Sequence, residues 1–389
     1  MACRMVRRGF WYSTLFRLWG VVCVAMASFP ALAIDSVAKQ ALVLDHETGA
    51  VLLEKNADEL MHPSSMSKLM TIYMVFDRLH EGTLSLDDTF AVSERAWRTA
   101  GSKMFVAINS RVAVSDLLRG IIVQSGNDAC VVVAENLAGT EEAFAAAMTV
   151  KARQIGLTHS TFRNASGWPA PDHLTTARDL AVLAGHLIAD FPGYYPLFRE
   201  MNFTYNTIRQ GNRNPLLYKP ELGADGLKTG HTADGGYGLV ASAVRENRRL
   251  IMVLNGLSSM KERAQESERL IDWAFREFTN ITLFAPGAEV TNADVWLGGQ
   301  AVVPLVTKRG ITVTLPRKVT KDIKVAAVFD GPIPAPIRKG DRLANLVITA
   351  PGITPQEIPL LAGADVERLG FFGRLSAAAG YILWGGGGF

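Results

Sequence analysis

The sequence predicts an α+β protein: an antiparallel sheet with a helical segment inserted between its strands, a small all-β domain after it, and a C-terminal amphipathic helix. Three observations carry this reading. Strand-like apolar runs come first, helix-period patterns fill roughly residues 63–190, and strand-like runs return ahead of a last long helix. Near Pro286-Gly287 the pattern changes to short β-branched runs separated by Gly, Pro and Asp. From Arg368 onward the chain is apolar, with only Arg368 and Arg374 charged.

The first 33 residues form a targeting segment in this reading. Arg4, Arg7 and Arg8 make a basic start, Leu18 to Ala27 an apolar stretch, and Ala31-Leu32-Ala33 a small-residue cleavage pattern. Removal after Ala33 discards Cys3 and Cys23, so of three cysteines Cys130 alone remains and no internal disulfide is possible. Cys130 lies in an apolar helix-like run and reads as a buried structural thiol.

The mature chain opens with ALVL and AVLLEK around Asp45-His46-Glu47-Thr48-Gly49, a hairpin pattern. Helical patterns follow at Ser67–Leu79, Val114–Val123, Ala129–Leu137, Glu141–Ile155 and Thr176–Ile188. Strands are expected at Gly236–Val244 and Leu250–Gly256, around the turn Glu246-Asn247-Arg248, and a helix from Lys261 to Phe278. Residues 34–285 are therefore read as one domain and 286–367 as the all-β domain, built on AVVPLV, ITVTLP, IKVAAVF and LANLVIT. Residues 368–389 are too few to span a bilayer; Phe371, Phe372, Tyr381 and Trp384 suit a helix lying in a membrane interface.

A formal net charge of +3 over 389 residues gives no basic stripe for nucleic acid. Seven histidines and no Cys/His cluster of ligand spacing leave no metal site, and no cofactor is expected.

Three short motifs carry chemistry. Ser65-Met66-Ser67-Lys68 stands at the start of a helix behind Pro63, and residues three apart share a helical face, so Lys68 can reach the Ser65 hydroxyl. A serine needs a base beside it, and a lysine serves as one when burial or a nearby cation lowers its pKa. Alone this motif says little, because S-x-x-K recurs at Ser36–Lys39 and Ser258–Lys261. Ser125-Gly126-Asn127 sits between two helix-like runs, where a capping turn is the ordinary explanation. Lys228-Thr229-Gly230-His231 enters the later strands, with a cation and a hydroxyl suited to a carboxylate and a glycine leaving room for close approach.

Order and context raise the signal: S-x-x-K on a helix, S-x-N between helices and K-T-G on a strand form one set. It is similar to that of the penicillin-recognising serine enzymes, whose β-lactamase/transpeptidase-like domain is an antiparallel sheet with a helical subdomain. The wording PSSMSKLMT, VQSGNDAC and DGLKTGHT resembles the low-molecular-mass penicillin-binding proteins that are D-alanyl-D-alanine carboxypeptidases. The resemblance covers essentially the whole mature chain.

It implies Ser65 as the acylated nucleophile, Lys68 as its base and Ser125 as a proton relay. It implies that Asn127 binds the substrate's amide backbone and that Lys228 supplies positive field, which also keeps Lys68 neutral. Thr229 would contact the terminal carboxylate, and the N–H groups of Ser65 and His231, beside Gly230, would form an oxyanion hole. Arg213, in Gln210-Gly211-Asn212-Arg213-Asn214, stands where the family keeps a carboxylate-binding arginine. Asn164 to Asp172 reads as a rigid loop near the cleft, with Gly167-Trp168 where the best-known members have Gly-Leu.

The expected partners are peptidoglycan stem peptides ending in D-Ala-D-Ala, β-lactams as covalent inhibitors, and the membrane surface through the C-terminal helix. The expected place is the periplasm, on the outer face of the inner membrane. A β-lactamase or a D,D-endopeptidase of the same fold is the alternative, and an inert membrane-bound interaction protein the alternative from another class. The chain lacks a clear E-x-x-L-N loop for a β-lactamase glutamate.

Overall fold

The protein is described by a computed structural model covering Arg4–Arg7, as backbone, and residues 34–375. The rest of the expected targeting segment and residues 376–389 of the expected C-terminal helix lie outside the described residues.

The chain divides into Ile34–Arg276 and a second unit, which contains Glu277 onward and the strand β1 (Arg4–Arg7). In the first unit β2 (Gln40–Asp45) and β3 (Val51–Lys55) form the expected hairpin. Asp45 shapes its turn, its Oδ1 accepting from the N–H groups of Glu47 and Thr48. The helical insert contains α1 (Lys68–His80), α2 (Glu94–Arg98), α3 (Val114–Ile122), α4 (Asn127–Ala138), α5 (Glu141–Gln154) and α6 (Ala177–Asp190). Side-chain caps start several of these: the Thr140 and Thr176 hydroxyls accept from the N–H groups of Ala143 and Asp179. Two strand pairs break up the insert and its exit, β4 (Thr89–Ala91) with β5 (Arg111–Ala113), and β6 (Asn202–Tyr205) with β7 (Ile208–Gly211). The sequence reading had neither, because each strand is too short for a period-2 pattern to register.

The chain then completes the sheet with β8 (Ala224–Thr232), β9 (Gly236–Arg245) and β10 (Arg248–Leu257) before α7 (Met260–Glu277). Strand order is β3-β2-β10-β9-β8, antiparallel throughout. Both faces are covered, and alternation along the strands shows it. Leu42, Val240, Ile251 and Val253 belong to the core shared with α1 and α3–α6. Ala41, Val43, Ala241, Leu250, Met252 and Leu254 pack with Leu270, Ile271 and Ala274 of α7.

The second unit holds β11 (Phe278–Phe284), β12 (Glu289–Trp296), β13 (Val302–Thr307), β14 (Ile311–Pro316), β15 (Lys324–Phe329), β16 (Ile333–Pro334), β17 (Arg342–Thr349) and β18 (Gln356–Ala362). Its larger sheet runs β1-β15-β17-β18-β13-β12-β16, and β11 pairs with β14. Leu305, Leu346, Ile348 and Leu360 anchor its own core. The expected boundary at 285/286 moves: β11 is laddered to β14, so this unit begins at Glu277, and Pro286-Gly287 is a turn inside it. Residues 371–375 are helical, and Phe371, Phe372 and Leu375 are exposed. Among the described residues no helix is long and apolar enough to cross a membrane.

Candidate active site

Pro63 leads into a 3-10 turn, Ser64–Ser67, that runs directly into α1. The turn places Ser65 at the surface of a cleft and makes Lys68 the first residue of α1, fully buried. Ser64 adopts a left-handed φ of 51°, a conformation that strains a residue bearing a Cβ. Gly167 closes on the same turn: with φ +77°, any Cβ on it would stand 1.8 Å from the Ser64 carbonyl oxygen. Ser67 faces away from the cleft, its Oγ 2.8 Å from Nε2 of buried His173. The Arg163 N–H donates to Nδ1 of that ring at 3.3 Å, so Nε2 carries the proton and donates to Ser67.

Three oxygens surround Lys68 Nζ: Ser65 Oγ at 2.9 Å, Asn127 Oδ1 at 2.8 Å and the Ser166 carbonyl at 2.5 Å. The Asn127 amide cannot be turned round, because its Nδ2 donates to the Ala100 carbonyl at 2.9 Å. Burial is the main cause that brings the Lys68 pKa down to about 8, and the Arg213 charge pushes the same way against Cys130, Asp128 and Glu141. The neutral amine has two hydrogens and one lone pair. Ser166 O and Asn127 Oδ1 can only accept, so they take the hydrogens and the lone pair is left facing the Ser65 hydroxyl. That is a serine aligned with its base.

Ser125 precedes the N-terminus of α4 with φ 61° and lines the cleft. Its Oγ is buried and has no hydrogen-bond partner among the described residues. Asn127, expected to meet a substrate backbone, spends both ends of its amide inside the protein, on Lys68 and Ala100. Its neighbour Asp128 takes the N–H groups of Met104, Phe105 and Val106, holding the facing loop against α4.

β8 is the edge strand, and its free side lies against the nucleophile turn: a Cβ on Gly230 would stand 3.1 Å from the Pro63 carbonyl and from Met66 Cγ. Gly230 therefore lets the strand approach. Lys228 and Thr229 are buried and His231 is exposed, stacked on Tyr237 at 3.9 Å between ring centroids. Lys228 Nζ donates to the Thr229 carbonyl at 3.2 Å. The entry to β8 is braced by Asp225, which pairs with Arg249 at 2.8 Å and accepts from Tyr195 OH at 3.0 Å. The sequence reading had Lys228 keeping Lys68 neutral. Burial is the main cause of the Lys68 shift and Arg213 adds to it, while Lys228, whose charge and that of Lys68 repel, is itself driven well below its usual range, first by burial and then by Lys68 and Arg213.

Arg213 is exposed, and its Nη1 donates to Ser102 Oγ at 2.7 Å. Ser65, Ser125, Arg213, Thr229, Gly230 and His231 thus line one cleft of about 400 Å³. Ser102, Tyr237 and Met260 line it too, as does Arg263 of α7, which sequence reasoning missed. Arg263 is buried, with its guanidinium over the Tyr237 ring and its pKa brought down to about 10 by that burial. It brings a second cation to the Arg213 side of the cleft. Among the described residues no cluster of His, Cys, Asp or Glu is placed to hold a metal.

Residues 25–258 match the family model described as D-alanyl-D-alanine carboxypeptidase. The chain belongs to that family. Residues 278–368 of this carboxypeptidase match a second model, the C-terminal domain of penicillin-binding protein 5, which agrees with a β unit starting at Glu277. It is 40% identical over 341 residues to the D-alanyl-D-alanine carboxypeptidase DacC of Escherichia coli strain K12, covering 86% of this chain and 85% of that one. Its fold is similar to penicillin-binding protein 5 of Haemophilus influenzae, with a TM-score of 0.79, 34% identity, and coverage of 86% of this chain and 99% of that one. It is also similar to the carboxypeptidase DacD of Francisella tularensis, with a TM-score of 0.77, 30% identity, and coverage of 86% and 95%.

Proposed function

We propose that the carboxypeptidase removes the last D-alanine of peptidoglycan stem peptides through an acyl-enzyme on Ser65. Ser65 Oγ bonds to the penultimate D-alanine carbonyl carbon while its proton passes to Lys68 Nζ and the carbonyl electron pair moves to oxygen. Backbone N–H groups of Ser65 and His231 receive that oxyanion, an interaction worth about 2.7–4 kcal/mol per donor in comparable sites. The proton then reaches the departing amine through Ser125, the C–N bond breaks, and D-alanine leaves. Water hydrolyses the ester along the reverse proton path.

Thr229, Lys228 and Arg213 hold the terminal carboxylate, and Arg263 adds to the positive field on that side. Asn127 orients Lys68. The observation that carries the reading is the Lys68 amine, held by two oxygens that only accept and turned on the Ser65 hydroxyl. A β-lactam presents the same carbonyl and carboxylate, so Ser65 is its target.

Fluorescent penicillin applied to wild type, Ser65→Ala and Lys68→Ala tests this, together with D-alanine release from a peptide ending in D-Ala-D-Ala. Wild type should label and release D-alanine. Ser65→Ala should do neither, and Lys68→Ala should lose at least about a hundredfold in both rates. Labelling of Ser65→Ala at the wild-type level would place the acyl group elsewhere.

Export to the periplasm and peripheral attachment to the inner membrane belong to the same proposal. The basic, apolar and small-residue order of residues 4–33 and the exposed Phe371, Phe372 and Leu375 support it.

A further inference from the structure

We propose that Asn164 is a positioning residue for the general base, folding the 164–168 turn so that the Ser166 carbonyl takes one hydrogen of Lys68. The inference rests on the roles given to Ser65 and Lys68 above and concerns what aims the amine.

Asn164 dictates the turn almost alone. Its Oδ1 accepts from three successive backbone N–H groups, Ser166 at 3.2 Å, Gly167 at 2.8 Å and Trp168 at 3.1 Å, and its Nδ2 donates to the Trp168 carbonyl at 2.8 Å. The start of the turn is tied to the helix that carries the base: Thr71 Oγ1, one turn beyond Lys68 on α1, donates to the Ala165 carbonyl at 2.6 Å. On the other side the Ala165 N–H donates to Glu141 Oε1 of α5 at 3.1 Å. Between these anchors the Ser166 carbonyl accepts from Lys68 Nζ at 2.5 Å.

Asn164 does not line the cleft, so it acts through this carbonyl. With the carbonyl turned away, one hydrogen of the neutral amine has no acceptor to hold it. The amine can then rotate and donate to Ser65 Oγ, which leaves its lone pair pointing elsewhere. Loss of the turn also opens a path for water to Lys68, and exclusion of water is the main cause of its low pKa. The groups that face Lys68 from other elements are Asp128, Cys130, Arg213 and Lys228, with Glu141 on α5 and His173 at the far end of the loop, and the substitution alters none of these side chains.

The test compares wild type, Asn164→Ala and Asn164→Gln, each shown to be folded by its thermal melt. D-alanine release from an N-acylated peptide ending in D-Ala-D-Ala and acylation by penicillin are followed across pH. Asn164→Ala should lower kcat by at least about tenfold, since small misplacements of reacting groups are costly. KM should stay within about threefold, because no contact with substrate is removed. Its acidic limb should move upward from about 8 as Lys68 becomes hydrated. Asn164→Gln keeps the amide but shifts it by one methylene; it should show the same pattern, and it decides the matter if the alanine variant does not fold. A folded variant with wild-type kcat and an unmoved acidic limb overturns the proposal. A wild type inert towards both peptide and penicillin overturns the carboxypeptidase mechanism beneath it.

Discussion

At the scale of single residues, burial does most of the chemistry before any substrate arrives. Lys68 has a folded pKa of about 8 against an ordinary 10.5. As pH falls from 10.5 to 8, the unfolded chain takes up this proton first, so the fold loses stability across that window, on the order of 3 kcal/mol. The same shift sets the rate, because only the neutral amine accepts the Ser65 proton. Acylation by penicillin should therefore rise with pH and level off above about 8. In Lys68→Met the stability slope between pH 8 and 10 should shrink, as read by urea unfolding at the two pH values.

Motif spelling pointed to Ser65, Lys68, Ser125, Lys228 and Thr229 because their side chains stand at fixed spacings within three short motifs. Arg263 had no such signal: it is one arginine among the charges of an amphipathic helix, and α7 alone brings it to the cleft. Ser166 was illegible for another reason, since its contribution to Lys68 is a backbone carbonyl that any residue type would supply.

At the scale of elements, the 163–173 loop is tied to the nucleophile turn at two points, and each makes a prediction. At Gly167, φ +77° and the Ser64 carbonyl leave no room for a methyl group. Gly167→Ala should cost about 2 kcal/mol or more and most of the activity, measured by unfolding and by D-alanine release. At His173, burial leads the causes that bring the pKa from 6.5 down to about 4, with His62, Arg163 and Lys68 adding to it. The unfolded chain takes up a proton at this histidine as pH falls through 6.5, and the fold resists until about 4. Stability is thus lost on the order of 3 kcal/mol between those values. His173→Gln should flatten that part of the stability profile, as read by thermal melts between pH 7 and 4.

Of the helices α1–α7, six were legible to within a residue or two because their apolar stripes and caps are local, as the Thr140 and Thr176 hydroxyls show; α2, only five residues long, was not foreseen. The pairs β4–β5 and β6–β7 were not, since three- and four-residue strands exist only through their partners.

At the scale of the whole molecule, two units each hold a core of their own, and the chemistry belongs to Ile34–Arg276. The boundary was misplaced by a turn: Pro286-Gly287 is the strongest break in the sequence, yet the ladder between β11 and β14 spans it. If the C-terminal segment docks on a membrane, deleting residues 371–389 should free the protein from sedimenting vesicles of anionic phospholipid. D-alanine release from a soluble peptide should then stay within about twofold of wild type, because the cleft is built from residues of Ile34–Arg276, which keeps its own cores. Persistent sedimentation of the deletion variant would assign attachment to another surface.

The sequence by itself determined the fold class, the helical insert and the family, and it singled out Ser65 and Lys68 as candidates, because periodicity and motif spacing are local properties that a chain carries unfolded. Tertiary structure decided that burial lowers Lys68, which oxygens surround its amine, where Asn127 spends its amide and where the second unit begins. Each of those depends on groups far apart in sequence meeting in a space from which water is excluded, and exclusion of water exists only once the chain has folded.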